Sequence, residues 1–133
     1  MRVPLLDLTR QHRQVSEAVA NRVAPVFETQ LFILGKTVSD FEEAFCQTFG
    51  CAHAVAMSSG TDAELAILMA MNIGPGDAVI TSPYTFFATA GCISRVGAEP
   101  VFVDIRPDTM HMDVDRLRDF LESECRRDVN GLL

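Results

Sequence analysis

The sequence predicts an α/β fold in which a mostly parallel sheet is flanked by helices. Short segments that are apolar along their whole length alternate with segments whose apolar residues recur at helical spacing. Strands that are apolar on both faces are typical of a parallel sheet covered by helices on both sides. The alternating segments are a strand at residues 53–57, a helix at 61–71, a strand at 78–81, a helix at 85–96, a strand at 100–104 and a helix at 114–125.

The residues before this alternation predict an extended start and a first helix. Residues 3–8 are mostly apolar, and a turn or cap is expected at Thr9. Valines recur at every fourth residue along residues 11–23, as they do on one face of a helix. Pro25 is expected to end or kink this helix because proline lacks a backbone N–H and clashes with the preceding turn. Gly35 then breaks the chain.

A second helix is predicted to begin near Val38 and to stop at Gly50. Val38 and the three phenylalanines that follow it share one helical face. Ser39 and Glu42 have the spacing of a capping box, in which each side chain satisfies a free backbone N–H of the other residue. Glycine is the residue most often found directly after a helix.

Segments containing glycine, proline or serine separate the later elements. They lie at residues 72–77, 82–83, 97–98 and 106–109. The last helix is amphipathic, and its apolar residues Leu117, Phe120 and Leu121 are predicted to face inward.

Charge and composition exclude several classes of partner. The 133 residues include 11 lysines and arginines against 18 aspartates and glutamates, which gives a net charge of -7. Binding to nucleic acid or to an anionic membrane needs a basic face, so neither partner is expected. The longest apolar run, residues 65–71, is far shorter than the roughly 20 residues that span a bilayer. No export signal is visible, and a cytoplasmic location is predicted.

The four cysteines and three histidines predict no metal centre. No two cysteines have the C-x-x-C spacing, and the histidines are scattered along the chain. The cysteines are expected to be free thiols in a reducing compartment. Cys46 lies among apolar residues in a helical pattern, so it is expected to be a small core residue.

Residues 58–62, with the sequence Ser-Ser-Gly-Thr-Asp, join a predicted strand to the start of a predicted helix. Gly60 allows a ligand to approach the backbone, Thr61 offers a hydroxyl, and the first amides of a helix attract anions. The segment therefore suits a phosphate. A second interpretation needs no ligand, because Thr61 and Glu64 have the spacing of a capping box. Asp62 and Glu64 also put negative charge where a phosphate would lie.

Aromatic residues follow the next strand along the chain. Phe86 and Phe87 are positioned either to lay a ring against a flat heteroaromatic ligand or to fill the core between sheet and helix. The carboxyl ends of parallel strands meet at one edge of a sheet, so residues 58–62 and 82–86 are expected to face one crevice. Together the two segments suit a flat phosphorylated cofactor.

These residues stand in an order that resembles the sugar aminotransferases of the DegT/DnrJ type, which are fold-type I enzymes dependent on pyridoxal 5′-phosphate (PLP). The resemblance runs from about residue 5 to residue 121. The matching segments are FILG at 32–35, FE at 41–42, SGTDA at 59–63, GPGD at 74–77, PYTFFAT at 83–89 and GAEPVFVD at 97–104.

The resemblance implies a role for each site residue. Gly60, Thr61 and Asp62 would hold the PLP phosphate, mainly through backbone amides and the Thr61 hydroxyl. Phe86 would stack on the pyridine ring, and Tyr84 and Phe32 would lie near the substrate. One position departs from the pattern, since Glu64 stands where such proteins usually have an apolar residue. It would either close the capping box or crowd the phosphate with charge.

The resemblance also implies that this chain holds only part of an enzyme. Residues 1–36 would form an N-terminal extended segment and helix, and residues 37–133 the first part of the large PLP-binding domain. The Schiff-base lysine, which binds PLP covalently, is expected beyond the chain end, so no catalytic residue is assigned here. The only lysine, Lys36, is interpreted as a solvated loop residue.

The implied full-length activity is transfer of an amino group, typically from glutamate, to a keto-sugar attached to a nucleotide. This reaction belongs to the synthesis of polysaccharide or antibiotic sugars, and the enzyme would be a homodimer. Two alternatives stay open. One is a PLP-dependent sugar dehydratase of the same family, in which histidine replaces the lysine. The other is a non-catalytic domain that binds a phosphorylated ligand.

Overall fold

The computed structural model describes residues 3–124. Contacts within the chain divide it into two compact units, Met1–Ala56 and Met57–Leu133. Each unit is described by itself.

The first unit begins with helix α1, Thr9–Thr29. The Asp7 carboxylate accepts a hydrogen bond from the Thr9 N–H at 2.9 Å, which satisfies one free amide at the helix start. The helix was predicted to end or kink at Pro25, and the expectation that it ends there is wrong. Proline removes a single backbone bond, while the Thr29 hydroxyl donates to the Pro25 carbonyl at 2.8 Å and reinforces the last turn.

Helix α2, Lys36–Phe49, starts two residues earlier than predicted, with Gly35 at its N-cap. The predicted capping box is wrong. The Ser39 hydroxyl donates to the Lys36 carbonyl at 2.9 Å, and the Glu42 carboxylate accepts from the Ala56 N–H at 2.8 Å. Gly50 ends the helix as predicted, because it adopts the left-handed conformation at φ 68° that glycine tolerates best.

The predicted aromatic face of α2 is confirmed. The rings of Phe41 and Phe45 are 6.2 Å apart between centroids, and those of Phe45 and Phe49 are 4.4 Å apart. All three side chains remain exposed among the described residues. Lys36 begins this helix rather than lying in a loop, and it forms an exposed ion pair with Asp40 at 2.5 Å.

The strand predicted at residues 53–57 is wrong for the described part of the chain. No backbone ladder involves these residues there, and Val55 is 73% exposed. A strand exists only when a neighbouring strand supplies hydrogen-bond partners, and the apolar pattern alone does not supply them.

The described part of the second unit, residues 57–124, alternates helices with two strands. In chain order its elements are α3 (Gly60–Ala70), β1 (Ala78–Thr81), α4 (Phe87–Arg95), β2 (Glu99–Phe102) and α5 (Val114–Ser123). The strands β1 and β2 pair in parallel, with Ala78 opposite Glu99 and Thr81 opposite Phe102. Helix α4 connects them, as a parallel pair requires. The α/β class with a parallel sheet is therefore confirmed.

Asp113 is the N-cap of helix α5, and its carboxylate accepts hydrogen bonds from backbone amides of the first turn. Leu117, Phe120 and Leu121 are half-buried, in agreement with their predicted inward face. None of the helices in residues 3–124 has both the length and the apolarity that crossing a membrane requires.

The core of the second unit lies between α4 and the two strands. Its buried residues are Cys92, Ile93, Ala98 and Val103, and Ile93 is only 2% exposed. Gly97 joins α4 to β2 at φ 86°, and a Cβ atom there would stand 3.0 Å from the Pro75 ring. Glycine is therefore required at this junction for both its conformation and its small size.

The cysteines of the described residues are free thiols, as predicted, and Cys125 lies outside those residues. Cys46 is half-buried rather than fully in a core, and partial burial together with the nearby Cys51 raises the pKa of its thiol.

Shortening a buried side chain tests the position of the core. Ile93→Val should lower the free energy of unfolding by about 0.5–1.5 kcal/mol, since it removes one buried methyl group. Val114→Ala, at a position 62% exposed, should change it by less than about 0.5 kcal/mol. Chemical denaturation of the chain measures both, and an equal effect would contradict the assigned core.

Candidate functional site

The start of α3 presents free backbone amides. Ser59 is the N-cap, and its hydroxyl accepts a hydrogen bond from the Asp62 N–H at 3.1 Å. The amides of Gly60 and Thr61 have no hydrogen-bond partner among the described residues. A Cβ atom at Gly60 would meet nothing within 4 Å, so the space beside the Gly60 α-carbon is open. The helix dipole adds partial positive charge at this end.

The Asp62 carboxylate turns back toward the preceding serines. Its Oδ2 accepts hydrogen bonds from the hydroxyls of Ser58 and Ser59, the latter at 2.9 Å. These two bonds, with a smaller contribution from the positive charge of Arg95, hold the pKa of Asp62 below its ordinary value of 3.8. Asp62 is therefore ionised at neutral pH, with its charge directed at two donors.

The capping box predicted for Thr61 and Glu64 is wrong. Ser59, two residues before Thr61, serves as the cap, and Glu64 accepts a hydrogen bond from Thr89 at 3.4 Å instead. The Thr61 hydroxyl makes no hydrogen bond within the part of the chain that the structure describes. It is consequently available to a ligand.

Phe86 and Phe87 lie at the start of α4. Phe86 is the N-cap residue with an extended backbone, and Phe87 is the first residue of the helix. Their exposed fractions are 78% and 83%, so neither ring fills the core of this unit. An aromatic face this exposed is open to a flat ligand.

The helix start and the aromatic pair border one cavity. Its volume is about 220 Å³, and the residues that line it are Thr61, Phe86, Phe87, Ala88, Gly91, Cys92 and Arg95. The Cys92 thiol donates to the Thr61 carbonyl at 3.3 Å and so ties α4 to the first turn of α3. The structure thus brings together the two segments that the sequence assigned to opposite parts of one cofactor. The cavity is smaller than a complete ligand pocket.

The remaining predicted site residues lie outside this cavity lining. Tyr84 is 65% exposed on the loop that leads to Phe86, and its N–H donates to the Ser82 hydroxyl at 3.0 Å. Phe32 lies in the first unit, where its ring packs edge-on against Phe27 with centroids 5.8 Å apart. The substrate contacts implied for both residues stay predictions.

Sequence reasoning missed two features beside the cavity. Arg95 brings a positive charge to its lining, and a chain of hydrogen bonds links Thr85 and Thr89 to Glu64. The four-residue spacing of Thr85 and Thr89 across a predicted helix start was a signal for the hydrogen bonds. The position of Arg95 beside the cavity depends on how α3 and α4 pack, which the sequence does not specify.

Residues 13–126 match the sequence profile of the DegT/DnrJ/EryC1/StrS aminotransferase family. The chain belongs to this family. The resemblance identified from the sequence segments is therefore confirmed.

Curated relatives in the family carry different names. The chain is 42% identical over 113 residues to the pleiotropic regulatory protein of Geobacillus stearothermophilus, a match that covers 85% of this chain and 30% of the relative. It is 33% identical over 111 residues to UDP-2-acetamido-2-deoxy-3-oxo-D-glucuronate aminotransferase of Pseudomonas aeruginosa, a match that covers 84% of this chain and 31% of the relative. The chain thus spans less than a third of the length of these relatives.

Solved structures of the family have the same fold. An aminotransferase of Brucella abortus superposes with a TM-score of 0.84 at 35% identity, covering 92% of this chain and 34% of that one. NtdA of Bacillus subtilis, solved with the cofactor PMP, superposes with a TM-score of 0.82 at 32% identity. This match covers 89% of this chain and 27% of NtdA. GDP-4-keto-6-deoxy-D-mannose-3-dehydratase of E. coli, solved with hydrated PLP, superposes with a TM-score of 0.70 at 28% identity. This match covers 74% of this chain and 27% of the dehydratase. PLP and PMP, its amino form, are thus cofactors of the family.

The serine donors to Asp62 can be tested by titration. Ser58→Ala and Ser59→Ala should each raise the pKa of Asp62 toward its ordinary value, because each removes a hydrogen bond to the charged form. Ser123→Ala, which removes a hydroxyl bonded within α5, is the matched control and should leave that pKa unchanged. NMR titration of the carboxyl carbon measures the shift.

The lowered pKa of Asp62 also makes the stability of the fold depend on pH. A pKa that is lower in the folded than in the unfolded protein stabilises the fold above the unfolded value of 3.8, and this contribution disappears as pH falls through the lower folded value. Asp62→Asn should therefore flatten the acid side of the stability profile. A profile unchanged by this substitution would contradict the two serine bonds.

Proposed function

We propose that this chain forms the first part of the PLP site of a sugar aminotransferase. The observation that carries the proposal is the cavity shared by Thr61 and Phe86, in a chain that belongs to an aminotransferase family. One residue would bind the phosphate end of PLP and the other would contact its ring.

The start of α3 fits a phosphate in three respects. The amides of Gly60 and Thr61 are unpaired among the described residues, the Thr61 hydroxyl is free there, and the space beside the Gly60 α-carbon is open. Bonds from such groups to a phosphate are charge-assisted and stronger than bonds between neutral groups. The Asp62 amide would join them by exchanging the Ser59 hydroxyl for a phosphate oxygen.

The charge of Asp62 is compatible with a phosphate close by. Its carboxylate is bound by two serine hydroxyls rather than facing open solvent, and Arg95 contributes positive charge to the same surroundings. We infer that these donors reduce the repulsion between the carboxylate and the phosphate, and that the backbone amides dominate binding.

Phe86 fits the ring of the cofactor. Its side chain is already exposed beside the first turn of α3, so binding would bury an apolar face without first opening a core. Offset stacking of aromatic rings is worth about 0.5–1.5 kcal/mol beyond the area that it buries.

PLP, when bound, supplies the electron-withdrawing ring through which an amino group is transferred between substrates. The chemistry also needs a lysine that bonds to PLP and an acid beside the pyridine nitrogen. Lys36, the only lysine, is exposed and paired with Asp40 in the first unit. We therefore propose that both groups lie in the portion of the relatives that extends beyond this chain, and that residues 37–133 are the first part of the large domain.

The exposed apolar surface agrees with a larger protein. Few residues of the second unit are buried, and its two strands form a sheet of a size that rarely stands alone. Exposed large apolar side chains elsewhere in the chain would be covered by further strands or by a second subunit. A homodimer and a cytoplasmic location stay predictions.

For the substrate we propose a keto-sugar attached to a nucleotide, with glutamate as amino donor. The named activity of the Pseudomonas aeruginosa relative, on a UDP-linked oxo-sugar, supports this choice. The E. coli dehydratase among the similar structures favours a second candidate, PLP-dependent sugar dehydration. A lysine at the PLP-bonding position of the longer protein indicates transfer, and a histidine there indicates dehydration.

The first experiment compares this chain with an extended protein, in which the chain is followed by the C-terminal portion that its relatives have beyond the matched residues. Both are mixed with PLP and then treated with borohydride, which fixes a PLP–lysine bond. Only the extended protein should retain the cofactor covalently. Stoichiometric labelling of Lys36 in the short chain would overturn the proposal, because Lys36 would then be the PLP-bonding residue.

The second experiment measures PLP affinity of the extended protein. Thr61→Ala removes one hydrogen bond to a charged phosphate and should raise the dissociation constant by about tenfold or more. Thr48→Ala, which removes a hydroxyl bonded within α2, is the control and should leave the constant unchanged. An unchanged constant in Thr61→Ala would mean that the hydroxyl does not contact phosphate.

Phe86→Ala tests the ring contact in the same assay. It should weaken PLP binding while leaving the fold intact, because the side chain is 78% exposed. Circular dichroism monitors the fold. If the variant unfolds, Phe86 belongs to a core and not to a cofactor site.

A further inference from the structure

A directed chain of hydrogen bonds runs from the aromatic loop to α3. The hydroxyls of Thr85 and Thr89 lie 3.2 Å apart, and the Thr89 hydroxyl donates to Glu64 Oε1 at 3.4 Å. A carboxylate only accepts, so Thr89 uses its single proton on Glu64 and Thr85 must donate to Thr89. The direction of the whole chain is therefore set by the charge of Glu64.

The three residues connect the two halves of the proposed site. Thr85 directly precedes Phe86, Thr89 lies in the first turn of α4, and Glu64 lies one turn into α3, which begins at Gly60. Along the backbone, Glu64 and Thr89 are 25 residues apart. The chain of bonds thus links the loop that carries the aromatic ring to the helix that would carry the phosphate.

The surroundings of Glu64 are mainly apolar on one side. Every residue of α3 after Glu64 is apolar. Glu64 and Thr89 also border a cavity of about 260 Å³, lined mainly by aliphatic side chains of α3, β1 and α4. The other donors in this lining are the Thr81 hydroxyl and the Cys92 thiol, and the thiol is bonded to the Thr61 carbonyl. Thr89 is the residue of the lining that donates to Glu64, whose side chain is itself exposed.

We propose that Glu64 is a positioning residue that, through Thr89 and Thr85, fixes Phe86 relative to the first turn of α3. These hydrogen bonds position Phe86 in the protein without any ligand. The effect of this positioning on PLP binding rests on the proposed function. With the loop already held, binding does not have to order Phe86, and affinity rises because that ordering cost has been removed.

The chain offers a local probe of this loop. Tyr84 is the only tyrosine and there is no tryptophan, so ultraviolet fluorescence reports on the residue next to Thr85. Time-resolved anisotropy of Tyr84 should show faster local motion in Glu64→Leu and in Thr89→Val. Loss of one hydrogen bond shifts the population of a held state by about two- to tenfold. In the double variant the local motion of Tyr84 should be no faster than in either single variant, because each substitution breaks the same bond between Glu64 and Thr89.

Three further variants make the result specific. Thr85→Val removes the first bond without altering α3 and should free Tyr84 even if Glu64→Leu fails to fold. Glu64→Gln keeps an acceptor oxygen and should restore most of the restriction. Thr48→Val, whose hydroxyl bonds within α2, should have no effect. Unchanged local motion in Thr85→Val and in Thr89→Val, with circular dichroism as for the native chain, would overturn the proposal.

A parallel titration separates this proposal from the proposed function. In the extended protein, Thr89→Val should raise the PLP dissociation constant by about two- to tenfold and alter the circular dichroism of bound PLP, which depends on ring orientation. If Tyr84 is released in the short chain but the extended protein does not bind PLP at all, the positioning role holds and the proposed function fails. If PLP binds and Tyr84 motion is unchanged in the variants, the positioning role fails alone.

Discussion

The unpaired amides at the start of α3 are the constraint on which the rest of the site depends. The helix cannot satisfy them from within, and Ser59 engages only the amide of Asp62. Those of Gly60 and Thr61 have no partner among the described residues, and an anion is the partner best suited to the helix dipole. The Cys92 thiol, bonded to the Thr61 carbonyl, then holds α4 against this turn, so the aromatic residues at the start of α4 reach the same cavity.

Much of the second unit could be predicted from the sequence because its signals are local. Both paired strands, the turn between residues 72 and 77 and the three helices of this unit follow from apolar spacing and from glycine and proline. The strand at residues 53–57 could not be predicted in this way, since a strand needs a partner and an apolar run cannot say whether one is present. The end of α1 and the two capping boxes failed for a related reason. Proline removes only one backbone bond of α1, α2 begins after Gly35 with no side-chain cap, and Ser59 rather than Thr61 caps α3.

The sequence predicted which two segments form the site, but not the side-chain contacts within it. Thr61 and Phe86 were expected at one crevice because each was to follow a parallel strand, but in the described residues only the Phe86 loop follows one, β1. The two residues share a cavity because α4 packs against the first turn of α3. The role of Glu64 depends on side-chain packing between α3 and α4. The serine donors to Asp62 are local, but they depend on the conformation of the turn before α3, which the residue pattern does not specify. Glu64 shows the difference most clearly, because its position in the sequence suggested a cap or a disturbing charge, whereas its contact is with Thr89.

In the proposed site the first turn of α3 and Phe86 bind opposite ends of one PLP molecule. A crystal structure of the extended protein grown with PLP would show both contacts at once. Phosphate oxygens are expected within hydrogen-bonding distance of the Gly60 and Thr61 amides, with the pyridine ring lying against Phe86. A phosphate bound at another helix, or a ring that leaves Phe86 in solvent, would contradict it.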